Sequence, residues 1–314
     1  MKDILFLKPL FFEKIWGGNK LPEIYNFNYT NTEFPLGEIW GVSGHKNGIS
    51  EILTSPFEGM SINNLINSEP DLFGNKTANG EFPLQIRIID AKEDLSIQVH
   101  PDDKYAMKNS NDNGKDECWY IMDAPENAEI VFGHTCKSRE ELAEAVEMGR
   151  LEEHLSYLPV KSGDFIHVPA GTLHALTRDI MAVEIATCSD TTYRFYDYNR
   201  KTSDGKKREL HLKESLDVVA VPSIYPVINT KTAYKANAVE MTLVDEECFT
   251  VKHIKTTKTA VIEKEFPYYA CFVMAGEGTV NTVRVKKGDF FILTNNVKKI
   301  EINGKVEILA AYSK

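Results

Sequence analysis

Four residues in this chain have types and spacing that suit metal chemistry. In Leu95-Ser-Ile-Gln-Val-His-Pro-Asp-Asp103, apolar Leu95, Ile97 and Val99 alternate with Ser96, Gln98 and His100. An extended chain puts that carboxamide and imidazole on one face. Further on, Gly163 to His174 reads G-x5-P-x-G-x2-H, in which Pro169 and Gly171 predict a tight turn that aims His174 inward at the start of the next strand. Glu117, after a loop rich in Asn and Gly, supplies a carboxylate on a neighbouring strand. Gln98, His100, Glu117 and His174 offer two nitrogen and two oxygen donors, a set suited to a borderline divalent ion such as zinc. A lone inward histidine is more often a hydrogen-bonded core residue, so the joint pattern carries the reading. His45, His134, His154, His167, His211 and His253 lack a comparable context and are read as structural or surface residues.

The elements that must position these groups are short apolar or alternating runs separated by Gly, Pro, Asn and Asp. Phe82 to Ile89, Leu95 to His100, Cys118 to Met122, Asp164 to Val168 and Ala182 to Ala186 are examples, and they predict a mainly antiparallel β protein. Helical spacing is local. Ser138-Arg-Glu-Glu141 is a capping-box pattern leading into Leu142, Ala145 and Val146, with Leu151, Leu155 and Leu158 continuing the spacing toward Pro159. Leu212, Leu216 and Val219 form a second stripe. Both predict short helical insertions, about 138–158 and 210–220, on a β scaffold.

Val221-Pro-Ser-Ile-Tyr-Pro226 closes that last helix with two prolines, which predicts a boundary between a first domain over 1–225 and a second over 226–314. The second half contains an echo of the first: Val285-Lys-Lys-Gly-Asp-Phe-Phe-Ile-Leu293 against Val160-Lys-Ser-Gly-Asp-Phe-Ile-His-Val168. The echo ends at the ligand turn, since Thr294-Asn-Asn-Val-Lys-Lys299 has no histidine. Two related β domains with one metal per chain are expected.

With 314 residues, 42% of them hydrophobic, the chain can bury a large core. Its five cysteines are odd in number and scattered, which fits neither a disulfide framework nor a thiolate metal site and points to a reducing compartment, the cytoplasm. Asp3 and Lys8 interrupt the apolar amino terminus, which reads as a strand and not a signal peptide. No apolar run reaches membrane-spanning length, so no membrane partner is expected. A formal net charge of −10 disfavours a nucleic-acid partner. Lys206-Lys207-Arg208, after Asp204-Gly205, is read as a solvated loop.

The histidine turn, with an upstream x-x-H and Glu117, is similar to the two-part cupin signature, and Gln98 in place of its first histidine resembles the type I phosphomannose isomerase family. Lys14-Ile-Trp-Gly-Gly18, Gly37-Glu-Ile-Trp40 through His45, Gly114-Lys-Asp-Glu-Cys-Trp-Tyr120 and Ser189-Asp-Thr-Thr-Tyr-Arg-Phe-Tyr-Asp197 extend the likeness over nearly the whole chain. The length and the compact segment between Glu117 and His174 resemble the short bacterial form, without the large helical insertion of longer relatives. The resemblance implies two cupin-like jelly-roll barrels, a single zinc, and interconversion of mannose 6-phosphate with fructose 6-phosphate, a small phosphosugar substrate, by a monomer or weak homodimer.

For the sites, it implies that Glu184 and Asp190 are the acid/base candidates, with an orienting role for Glu184 equally open. Lys115 and Arg194 are the candidate substrate cations, and Arg194 could instead stabilise enediolate charge at the reacting end. Trp16 and Trp40 match positions near the pocket, although an aromatic of this kind is more often core. An iron dioxygenase and a non-catalytic sugar-phosphate sensor are the competing classes. Gln98 and the Lys115/Arg194 pair speak against the first, and the lack of an evident DNA-binding segment against the second.

Overall fold

The computed structural model describes residues 2–25, 29, 35–75, 80–202, 205–225 and 230–314. Asp204 and Pro226, in the expected solvated loop and at the expected boundary, lie outside them. Three sheets are stacked as layers. The middle one has six strands, in the order Phe165–Val168, Glu117–Asp123, Ile180–Thr187, Leu84–Ala91, Leu10–Gly18 and Leu36–Ser43. On one side lies a five-stranded sheet containing Ile97–Val99, His174–Ala175 and Tyr193–Tyr196; on the other lies a ten-stranded sheet built mostly from residues 231–313.

Period-two alternation explains how one sheet serves both neighbours. Along Leu84–Ala91, Leu84, Ile86 and Ile88 enter the apolar core shared with Phe272, Phe290, Phe291 and Leu309 of the ten-stranded sheet. Ile89 and Ala91 face the other way, with Trp119, Ile121, Ile130, Phe132 and Leu176, into the core between the middle and five-stranded sheets. Gln85 and Arg87 share that second face by parity. In Ile180–Thr187, Val183 and Ile185 go to the first core while Ala182 joins the second, which turns Glu184 toward the second. Strands buried on both faces read as continuous apolar runs, and polar residues inside such a run stand out.

The outer face of the five-stranded sheet is covered by the helical insertions: Ile97, Val99, Val131 and Phe195 pack with Leu142, Leu151 and Val219. Ser138 caps the helix Arg139–Glu147 by accepting from the Glu141 N–H at 3.1 Å. The apolar spacing misleads beyond it. Leu155 and Leu158 lie on a strand, Leu155–Pro159, paired with Glu129–His134; edge pairing to the sheet outweighs helical spacing there.

The echoed segments fold alike. Lys161 N donates to Asp164 Oδ2 at 2.9 Å with Gly163 at φ +94°, and Lys286 N donates to Asp289 Oδ2 at 2.8 Å with Gly288 at φ +94°. Each left-handed glycine closes the turn that admits the strand after it. The ten-stranded sheet also recruits the amino terminus, since Ile4–Lys8 pairs with Phe290–Leu293 and also with Glu51–Ile52. No helix among the described residues is long and apolar enough to cross a membrane.

Candidate active site

The inward face of Leu95 to His100 answers for its composition. Ile97 and Val99 are buried in the core beneath the helical insertions, so Ser96, Gln98 and His100 point to the opposite face, between the two sheets. In the antiparallel ladders Gln98 stands opposite His174 on one neighbouring strand and Arg194 on the other. The ligand turn delivers His174 as its spacing predicts. Thr172 N donates to Pro169 O at 3.1 Å, Gly171 adopts φ +86°, and its N–H donates to His100 O at 2.9 Å, tying the turn to the other histidine. Glu117 does not lie on a neighbouring strand of this sheet. It opens a strand of the facing, middle sheet, so the cluster is closed across the gap between two layers.

There the donor atoms converge. His100 Nε2 is 3.3 Å from Glu117 Oε2, His174 Nε2 is 3.4 Å from Glu117 Oε1, and Gln98 Nε2 is 3.3 Å from His174 Nε2. The δ nitrogens are engaged elsewhere: His100 Nδ1 faces Thr191 O at 2.9 Å and His174 Nδ1 faces Thr172 O at 2.8 Å. A carbonyl can only accept, so each Nδ1 carries the proton and each Nε2 presents its lone pair to the cluster. Burial, with Lys115 beside it, lowers the His100 pKa; burial chiefly lowers that of His174 to about 3. Burial pushes Glu117 up, but Lys115, His100 and His174 outweigh it and hold the carboxyl well below its usual range. Both Glu117 oxygens are buried, and neither accepts a well-formed hydrogen bond among the described residues; Lys115 Nζ forms an ion pair with Oε2 at 2.5 Å. Two neutral imidazoles and an ionised carboxylate with unsatisfied oxygens fit a divalent cation. A second triplet of potential donors, Cys136, Glu141 and His154, lies on the insertion. Its Glu141 is exposed and accepts from Lys137 N at 2.7 Å, one residue ahead of the Ser138 N-cap.

Beside the cluster, the cavity wall includes Lys14, Trp16, Glu38, Arg87, Lys115, Glu184, Asp190, Arg194 and Arg208 with Gln98. Lys115 Nζ sits 3.1 Å from Glu184 Oε1, and Arg87 Nε is 3.6 Å from the same oxygen. Glu184 is raised to about 6, by burial first and then by Glu117, against the pull of Lys115 and Arg87. Asp190 is held differently. Its carboxylate pairs with Arg87 Nη2 at 3.0 Å and accepts from Asn47 Nδ2 at 2.9 Å; burial raises it, but Arg87 and Asn47 bring it below the ordinary value.

Arg194 forms no ion pair among the described residues, and burial lowers its pKa. Trp16 lines the cavity, whereas Trp40 lies behind it, 1% exposed, with the Arg87 guanidinium 4.0 Å over its ring and its Nε1 donating to Glu38 at 2.8 Å. The basic run at 206–208 divides. Lys206 and Lys207 are exposed, but Arg208 turns inward to the cavity, 3.2 Å from Asp197 Oδ1, and burial and Arg194 lower it to about 10. That corrects the solvated-loop reading for Arg208, whose partner Asp197 lies 11 residues earlier, outside the run. Arg87, Lys14 and Glu38 were also not foreseen. A charged residue inside the otherwise apolar run of Leu84–Ala91 was the available signal for Arg87.

A mainly β chain whose histidine-bearing turn on one sheet faces a carboxylate on another is what the cupin class leads one to expect, and the family models place the chain more narrowly. Residues 4–137 match the catalytic domain of type I phosphomannose isomerase and residues 239–313 match the mannose-6-phosphate isomerase cupin domain. The chain is 38% identical to a mannose-6-phosphate isomerase of Streptococcus mutans over 100% of its own length and 99% of the relative's. It is 38% identical to ManA, a mannose-6-phosphate isomerase of Bacillus subtilis, over 98% of each chain. The crystal structure of a Bacillus subtilis mannose 6-phosphate isomerase superposes with a TM-score of 0.94 at 36% identity, covering 99% of both chains. The chain belongs to the type I phosphomannose isomerase family.

Proposed function

We propose that this chain interconverts mannose 6-phosphate and fructose 6-phosphate by moving a proton between C1 and C2 through an enediol. The observation that carries the reading is Glu184, a buried carboxylate at the cavity wall, flanked by Lys115 and Arg87 and next to the histidine–carboxylate cluster. Its pKa near 6 lets it be ionised at neutral pH yet basic enough to take a proton from carbon. Asp190 is less suited to that task, because its two hydrogen bonds commit its carboxylate to orienting Arg87 and Asn47.

Gln98, His100, Glu117 and His174 would hold a single zinc. When bound, zinc polarises the sugar oxygens without redox chemistry. Lys115 donates toward the oxygen on which charge develops, being confined between Glu117 and Glu184. Arg194, which forms no ion pair among the described residues, and Arg208, beside it on the cavity wall, take the phosphate, a dianion that adds to the counter-charge Asp197 gives Arg208. Trp16 supplies an apolar wall, and Trp40 props Arg87 from behind.

The test is a coupled assay with mannose 6-phosphate before and after chelation, run beside solvent-deuterium exchange at C2. Turnover and exchange that vanish with chelation and return with zinc support the reading. Binding of the phosphosugar without exchange would favour a sensor, and oxygen consumption with iron would favour a dioxygenase.

A further inference from the structure

The His100 imidazole is oriented by one main-chain carbonyl, that of Thr191. Thr191 lies between the strands Ile180–Thr187 and Tyr193–Tyr196, in a segment with no ladder of its own. A side chain distant in sequence fixes this segment. Asp112 Oδ2 accepts from Thr191 Oγ1 at 2.8 Å and from Asp190 N at 3.3 Å, while Oδ1 accepts from Asn113 N at 2.9 Å. Ser189 Oγ also lies 3.4 Å from Oδ2, but its single proton is better placed on Asn113 O at 2.7 Å. Behind the carboxylate stands His45, 1% exposed, with Nε2 3.4 Å from Asp112 Oδ1 and Nδ1 accepting from Asn47 N at 3.2 Å. Asn47 in turn reaches Asp190, which pairs with Arg87.

We infer that Asp112 is a positioning residue: by clasping Asp190 and Thr191 it fixes the carbonyl that orients His100 and the carboxylate that orients Arg87. The inference rests on the metal reading above. Asp112 touches neither the proposed ligands nor the cavity cations, so it acts through Thr191 and Asp190. With the clasp broken, the Thr191 carbonyl moves off the imidazole plane, the ring loses its fixed tautomer and rotation, and Nε2 no longer meets the other donors. Loss of such an outer partner generally weakens metal affinity or activity by about 10–100-fold.

Asp112→Ala and Thr191→Val test it; the second deletes only the hydroxyl and keeps the carbonyl. Zinc affinity is measured by chelator competition, alongside kcat and KM separately, and the melting temperature. The expected result is about tenfold or greater loss of zinc affinity in both variants, with kcat falling more than KM. Glu307→Gln, in the ten-stranded sheet, serves as a control that alters stability without altering zinc affinity. Should Asp112→Ala fail to fold, Thr191→Val decides. Folded variants that bind zinc as tightly as the parent, with unchanged kcat, would overturn the inference alone. A parent protein that takes up no metal would overturn the metal reading and this inference with it.

Discussion

Lys115 and Glu184 form a buried ion pair, Nζ to Oε1 at 3.1 Å, with side chains only 3% and 6% exposed. The same ammonium lies against Glu117, so one cation joins the proposed base to the proposed metal ligands. Removing one member of a buried pair leaves the other charge uncompensated, at about 3–5 kcal/mol. Lys115→Met is therefore expected to destabilise the fold by that order and to push Glu184 further up. Glu184→Gln should fold, and should lower kcat by about 10²–10⁴-fold if the carboxylate is the base. In the parent, kcat/KM should fall as pH drops through about 6, where Glu184 becomes protonated. A Glu184→Gln enzyme with parental turnover would remove Glu184 from the chemistry.

Metal content follows from the cluster. His100→Ala and His174→Ala should each lose more zinc affinity than the 10–100-fold typical of an outer partner, because a donor itself is gone. Elemental analysis of washed protein should give one equivalent per chain for the parent and little for either variant. Two equivalents would mean that the second cupin domain, or the Cys136 triplet, also binds.

The arginine pair makes a kinetic prediction. A hydrogen bond to a charged group contributes about 1.5–3 kcal/mol, so Arg194→Met and Arg208→Met should each lower kcat/KM for mannose 6-phosphate by about 10-fold to 150-fold. If they hold the phosphate, adding inorganic phosphite or phosphate with unphosphorylated mannose should partly restore turnover in the parent and not in the variants. Parental kinetics in both variants would exclude the pair from the site.

Far from the cavity, Glu307 accepts from His253 at 2.8 Å and Lys255 at 3.0 Å, and these bonds, against the opposing effect of burial, lower it from 4.5 to about 2. A carboxylate depressed in the fold contributes stability above its unfolded pKa, and that contribution is lost as pH falls toward the folded one. Denaturation of Glu307→Gln from pH 7 down to 2 should show less stability than the parent at neutral pH, with the gap closing below about pH 4.5. A gap independent of pH would contradict the assignment.

The proposed division near residue 226 predicts interdependence. Phe272, Phe290 and Phe291 share a core with Ile86, Ile88 and Val183, and the amino-terminal strand Ile4–Lys8 pairs with Phe290–Leu293. Each phenylalanine contributes on the order of 2 kcal/mol by burial. A chain ending there should be insoluble or poorly folded, as read by expression and circular dichroism. A soluble, fully active truncation would show that the first domain stands alone.

Sequence alone determined the local features. Alternation in Leu95 to His100 gave the facing of Gln98 and His100, and Pro169 with Gly171 gave the turn that aims His174, because period and turn chemistry act over a few residues. The paired Lys-x-Gly-Asp turns were legible for the same reason. Only the tertiary structure decided which distant groups meet. Glu117 comes from a facing sheet, Arg208 folds in onto Asp197, Leu155 joins a strand edge, and Trp40 withdraws behind Arg87. Those outcomes depend on layer packing and on charges compensated across sequence separations of up to dozens of residues, and no local pattern in the chain encodes them.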